Sequence, residues 1–179
     1  MSELNATGAC LLGFLHDGPK TGWDLMTEIA HGFTHFWNVT PSHVYRELKT
    51  LQARGHIEAA AAGARDRQPY TITAQGRRVF AEWIRRPPGT ETMRIPLLVT
   101  LWFGAHLEPH LLREFLTRHR EINQSRLDYY RRVPAELRDS NPYLAAVVDF
   151  GVAYERAVLD WIDHLEALPD IPPTTPNQP

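Results

Sequence analysis

Five side chains between residues 42 and 49 form the most chemically pointed group in the chain: Ser42, His43, Tyr45, Arg46 and Lys49. Val44, Leu48 and Leu51 recur at i, i+4 and i+7, so a helix here must turn them to a core. At about 100° per residue its opposite side carries Ser42, Arg46, Lys49 and Ala53, with Tyr45 and Thr50 on the shoulders. Arg46 and Lys49 stand one turn apart. A guanidinium and an ammonium so placed can clamp phosphate oxygens or donate to the edge of a guanine, and spacing does not choose between the two. Two smaller groups could add to this chemistry. Arg65 and Arg67 flank Asp66 at the tip of a turn over residues 63–68, suited to a minor groove or a phosphate backbone. Lys20-Thr21-Gly22 opens a helix, where backbone N–H groups suit a phosphate.

Other chemistry finds no support. Among nine histidines, His31 and His35 are four apart, but Gly32 intervenes and no acid lies in helical register. His106 and His110 have the same spacing with Pro109 between them. There is no His-Glu-x-x-His, cysteine pair or carboxylate cluster, so no metal is expected. Gly-x-Gly-x-x-Gly, a phosphate-binding Walker loop and a Gly-x-Ser-x-Gly elbow are all missing, which points away from a cofactor and from an enzyme. The single Cys10 cannot form an internal disulfide and sits among leucines, where a thiol is inert packing.

The 179 residues are 43% apolar and 22% charged with a formal net charge of −2, the balance of one or two globular domains. No apolar run reaches the roughly 18 residues of a membrane span. Met1-Ser2-Glu3-Leu4-Asn5 carries an acid where a secretion signal would carry bases, so a cytoplasmic protein is expected. Charge is uneven: Pro41 to Arg86 holds nine Lys/Arg against four Asp/Glu, while residues 88–179 hold nine Arg against thirteen acids.

The elements that must position these groups can be read in order. Leu4, Gly8, Leu11, Leu12 and Leu15 predict an amphipathic helix over residues 3–16, ended by Asp17-Gly18-Pro19. Thr21, with Asp24 three residues on, caps a second helix running to about Ala30, with Leu25 and Ile29 inward and Trp23 alongside. An aromatic-rich turn with Phe33, Phe36 and Trp37 follows. Thr40 caps the third helix with Pro41 at its first position, and Gly55 closes it. His56–Ala59 and Pro69–Ile72 alternate as two short strands. Thr73 caps a fourth helix whose buried stripe is Val79, Phe80, Trp83 and Ile84. Pro87-Pro88-Gly89-Thr90 then breaks the chain.

Beyond that break the pattern is helical. Met93 to Phe103 is apolar nearly all round, with Pro96 in its first turn, and is expected to be buried from more than one side. Glu108-Pro109 starts a longer helix marked by Leu112, Phe115, Leu116, Ile122, Leu127 and Tyr130. Asn141-Pro142 opens a last helix to about Leu168. The reading is therefore mainly α with a two-stranded β-wing, in three parts: residues 1–87, residues 88–168, and a disordered Pro-rich tail over 169–179.

Three helices, a ribbon and a fourth helix in some 85 residues make a winged helix-turn-helix. A helix about 10–12 Å across fits the major groove of B-DNA, about 12 Å wide, if a small core holds it there. Such a domain reads double-stranded DNA. A protein-interaction adaptor that keeps the winged helix without reading DNA is the alternative, since the local charge excess is modest.

The residues also resemble a known family. Gly18-Pro19-Lys20-Thr21-Gly22-Trp23-Asp24-Leu25 is similar to the Gly-Pro-x-x-Gly-Tyr-Asp/Glu-Leu signature of PadR-like transcriptional regulators, with Trp23 in place of the usual Tyr. Thr40 to Leu48 looks like that family's recognition-helix segment, followed by Leu51-x-x-x-Gly55-x-Ile57 and Tyr70-Thr71-Ile72-Thr73-x-x-Gly76. From Met93-Arg94-Ile95-Pro96-Leu97-Leu98 onward the chain more loosely resembles the virulence-activator-type subgroup. The resemblance implies a homodimer whose C-terminal helices swap contacts, an inverted-repeat operator, and contacts by Tyr45, its helix neighbours and the wing arginines; the expected role is a regulator that represses rather than activates. It also implies that Leu4 to Leu15 joins the dimer. His43 and Ser42 depart from the small residues common in the family, so the bases read are expected to differ.

In the last helix Leu144, Val147, Gly151, Tyr154, Val158, Trp161 and Leu165 alternate three- and four-residue steps, an a/d seam over more than three heptads. It reads as a dimer interface, with Gly151 permitting close approach of a second copy; an intramolecular bundle is the other reading. The resemblance further implies a pocket for a small aromatic effector at that interface. Trp102, Phe103, Tyr154 and Trp161 are its candidates, unless they are simply core.

Overall fold

Packing in the first half is organised around one short helix with no polar side. The computed structural model describes residues 4–32, 37, 39–61, 68–90 and 93–166, and the chain divides into two units, Met1–Glu91 and Thr92–Pro179. In the first unit α1 spans Ala6–Phe14, with Asn5 as its N-cap, and tightens into a 3₁₀ turn over Leu15–Asp17. The amphipathic helix expected over 3–16 is thus shorter. It is also buried on more than one side, because Ala9, Leu11, Leu12 and Leu15 are enclosed by its neighbours. Around it lie α2 (Gly22–Gly32), α3 (Pro41–Ala53) and α4 (Ala74–Trp83). Leu25 and Ile29 of α2 and Val44, Leu48 and Leu51 of α3 complete the core. Gly18 and Gly55 both take positive φ, 126° and 69°, where the chain leaves a helix.

The wing has three strands, not the two expected. β2 (Ile57–Ala59) pairs antiparallel with β3 (Pro69–Ile72), in register Ile57 to Ile72 and Ala59 to Tyr70. The other edge of β3 takes β1 (Lys20–Thr21), with Lys20 opposite Tyr70. Two residues show no alternation, so β1 leaves no period-2 signal in the sequence. Thr73 caps α4, its Oγ1 accepting from the Gly76 N–H at 3.0 Å. The stripe expected to be buried on α4 is only partly so: Val79, Phe80 and Trp83 are half-buried and Ile84 is 60% exposed. With Ala9, Cys10 and Phe14, the side chains of Phe80, Trp83 and Ile84 line an open apolar groove of about 490 Å³. Burial pushes the Cys10 thiol up to about 11, which suits its expected inertness.

The second unit holds α5 (Pro96–Trp102), a 3₁₀ turn over Gly104–His106, α6 (Pro109–Arg131), the short α7 (Ala135–Ser140) and α8 (Pro142–Glu166). α7 was not foreseen. Asn141 Oδ1 accepts from the Tyr143 and Leu144 N–H groups and starts α8. The main contact is α6 against α8. On α6 it buries Leu116, Asn123, Leu127 and Tyr130, and on α8 Val148, Gly151, Glu155, Leu159 and Ile162.

This register corrects three expectations. The inward stripe of α8 is offset by one position from the expected seam and shares only Gly151 with it. Gly151 serves the α6–α8 contact, because a Cβ there would lie 2.6–2.7 Å from three Tyr130 ring carbons. Asn123, not Ile122, faces inward on α6; Ile122 is 39% exposed. In α5 only Leu97 is buried, while Leu98, Val99 and Trp102, with Phe103 just beyond, are exposed rather than enclosed.

Gly151→Ala should overpack the Tyr130 ring and destabilise the chain by about 1–3 kcal/mol. Urea unfolding followed by circular dichroism measures it; an unchanged midpoint would mean the two helices are further apart than described.

Candidate nucleic-acid interface

The polar face of α3 is held outward by what happens on its other side. Val44, Leu48 and Leu51 are wholly buried, and Glu47 between them is buried as well. Asn5 Nδ2 donates to Glu47 Oε2 at 3.1 Å, while Asn5 Oδ1 accepts from the Gly8 N–H at 2.8 Å. One asparagine therefore caps α1 and ties α3 to it. Sequence reading missed both residues, although 44, 47, 48 and 51 fall on one helical stripe. Thr40 Oγ1 accepts from the His43 N–H at 3.3 Å, and Pro41 occupies the first turn.

With the back of α3 so fixed, Ser42, Tyr45, Arg46 and Lys49 are exposed and His43 is half-buried. Tyr45, 45% exposed, lies over the first turn of α2. A Cβ on Gly22 would come within 2.5 Å of Tyr45 Cε1, so only glycine lets the ring approach that closely. The Tyr70 hydroxyl on β3 is held above the ordinary tyrosine range by burial and then by the Tyr45 phenol. Tyr45 therefore sits where α2, α3 and the sheet converge.

Lys20 and Thr21 are occupied inside the chain rather than presented to a phosphate. Lys20 Nζ donates to Glu28 Oε1 at 2.7 Å, and that bond holds its ammonium above the ordinary lysine range. The Thr21 N–H and hydroxyl both donate to Asp24 Oδ2, at 2.9 and 2.8 Å, and Thr21 Oγ1 accepts from the Asp24 N–H at 3.2 Å. This reciprocal capping box places a carboxylate where an incoming anion would sit. Trp23, expected alongside the inward face, is 59% exposed. Arg65 and Arg67 lie outside the described residues, as do Phe33, Phe36 and the residues after 166.

The aromatic candidates of the second unit are not gathered into one enclosure. Trp102 is 85% and Phe103 58% exposed. Tyr154 is half-buried and stacks on Phe150 with ring centroids 6.3 Å apart. Val158, Trp161 and Leu165 pack partly on the cluster of Leu97, Leu116 and Ile162, and Leu144 and Val147 are half-buried.

Residues 11–82 match the transcriptional regulator PadR-like family, and residues 93–168 match the virulence activator alpha C-terminal domain. The chain therefore carries a PadR-like transcriptional regulator domain followed by a virulence activator alpha C-terminal domain. A probable transcriptional regulator of Mycobacterium tuberculosis is 25% identical to it, over 88% of this chain and 95% of that protein. The negative transcriptional regulator PadR of Bacillus subtilis is 23% identical over 89% of this chain and 95% of its own length. The crystal structure of that PadR in complex with operator DNA has a TM-score of 0.74 at 21% identity, covering 93% of this chain and 99% of that one. Its complex with p-coumaric acid gives a TM-score of 0.67 at 20% identity, covering 91% and 98%. The PadR-like fold, a winged helix followed by a helical unit, is thus shared along the chain. Among the described residues no helix is long and apolar enough to cross a membrane.

One ionisable group beneath this surface sets a pH response. His56, 8% exposed at the start of β2, is held below the ordinary histidine range by burial and then by the charge of Arg54. Its neutral form is the folded form, so stability is intact above the unfolded value near 6.5 and is lost as pH falls below it. Thermal melts at pH 7 and pH 5 should show wild type losing ground to His56→Gln as pH drops; a constant gap would remove this role.

Proposed function

We propose that the chain is a homodimeric, sequence-specific DNA-binding regulator that acts as a repressor and is relieved by a small aromatic effector. One observation carries the DNA-binding part: α3 is sealed along Val44, Glu47, Leu48 and Leu51 and open along Ser42, Tyr45, Arg46 and Lys49. A helix fixed on one side and cationic on the other can enter a major groove without disturbing its own core. The B. subtilis relative crystallised with operator DNA supports the reading. Arg65 and Arg67 would add backbone or minor-groove contacts from the wing. With Lys20 and Thr21 engaged by Glu28 and Asp24, α3 and the wing carry the contact.

Dimerisation is supported by apolar surface that the second unit leaves uncovered: Leu98, Val99, Trp102 and Phe103 around α5, and Tyr143 and Phe150 on α8. Of the expected α8 seam, Leu144, Val147 and Tyr154 remain half-exposed beside them, while Gly151 is spent on Tyr130. A two-fold dimer presents two α3 helices, which suits an inverted-repeat operator. The p-coumaric acid complex of the B. subtilis relative supports a flat phenolic effector near Trp102, Phe103, Tyr154 and Trp161.

Gel shifts on the chain's own upstream region test the DNA reading. Arg46→Ala and Lys49→Ala should each cost about 1–3 kcal/mol where a base edge is read, and wild-type affinity should fall steeply with added salt. Affinity indifferent to both substitutions and to salt would favour a protein-interaction adaptor. Sedimentation should give twice the chain mass, and tryptophan emission should be quenched by p-coumaric acid less in Trp102→Phe than in wild type. A monomer at micromolar concentration, or no quenching, would refute the corresponding part.

A further inference from the structure

The contact of α6 with α8 encloses a carboxyl group that the DNA-reading face does not use. Glu155 is 0% exposed, and neither of its oxygens has a hydrogen-bond partner among the described residues. It stands one turn after Gly151 and one turn before Leu159, in the middle of the inward stripe of α8. The groups that face it can be named. From α6 come Tyr130, 2% exposed and packed on Gly151, and the half-buried Arg126, whose charge acts on the carboxyl. α5 carries no titratable side chain between Pro96 and Trp102. On α7, Arg138 is taken by Asp149 at 2.7 Å, and Asp163 further along α8 pairs with Arg120 of α6.

A carboxylate in such a place gives up its water and receives in return only the field of Arg126, with no N–H or O–H donated to it. A neutral acid escapes most of that cost. We propose that Glu155 is a proton latch of the C-terminal unit: α6 and α8 close on its neutral acid, and loss of that proton loosens the pair. Burial, the larger influence, and the opposing Arg126 charge together leave its proton affinity above that of an ordinary glutamate. The same enclosure, with Glu155 as a further cause, lifts the Tyr130 phenol to about 12, so it stays neutral throughout. The folded chain therefore binds a proton that the unfolded chain releases near 4.5. Stability is full below that value and declines as pH rises through the folded value.

Thermal melts of the full chain at pH 5 and pH 8, beside Glu155→Gln, test the latch independently of DNA binding. Wild type should lose several degrees at pH 8 relative to the variant, and the two should converge at pH 5. Parallel profiles, or a variant less stable at pH 8, would overturn the proposal. If Glu155→Gln does not fold, Glu155→Met makes the same comparison. Carbon-13 NMR of glutamate-labelled wild type decides without any variant: one side-chain carboxyl should titrate above the ordinary glutamate range, and none doing so counts against the latch.

Discussion

The burial of one stripe of α3 is the constraint on which the regulator depends. Each buried Val or Leu contributes about 1.5–3 kcal/mol relative to exposure, so rotating α3 to hide its charges would forfeit several such terms and strand Glu47 away from Asn5. The direction in which Arg46 and Lys49 point is therefore decided in the interior. A helix face that keeps the same atoms outward needs a support of this kind, and α1, largely apolar, provides it.

Around that helix a few polar side chains each make more than one contact. Asn5 serves α1 and α3 at once, Thr21 and Asp24 cap each other, and Thr73 Oγ1 lies 2.7 Å from the Gly55 carbonyl while its N–H bonds that of His56. The second unit follows a different plan. Its helix pair is held by apolar side chains interrupted by Asn123, Tyr130 and Glu155, and it leaves a broad apolar surface outside. The first unit closes its core apart from the apolar groove between α1 and α4, whereas the second leaves exposed apolar side chains on both α5 and α8.

The caps Thr21, Thr40, Thr73 and Asn141, the Pro at the start of α3 and the α3 stripe were legible in the sequence because each is set by residues close together in the chain. Such local chemistry also revealed the β2–β3 ribbon. What escaped reading depends on partners distant in sequence. The two apolar stripes of α8 lie about 100° apart, and periodicity cannot say which one meets α6; the bulk of Tyr130 against Gly151 does. Lys20 looked like a phosphate ligand until Glu28, two turns on, was seen to hold it. β1 is recognisable only through Tyr70, fifty residues away. The outward aromatics of α5 read as core because hydrophobicity reports what a side chain prefers, not whether its own chain supplies the cover.

The third strand changes how the wing behaves mechanically. Because β1 runs directly into α2, the edge of the sheet and the first turn of the helix-turn-helix share adjacent residues, with Tyr45 wedged over the junction at Gly22. β3 meets β1 at Tyr70, and β1 leads straight into the base of α2. The sheet and the base of α2 are therefore braced together, and neither can shift without the other.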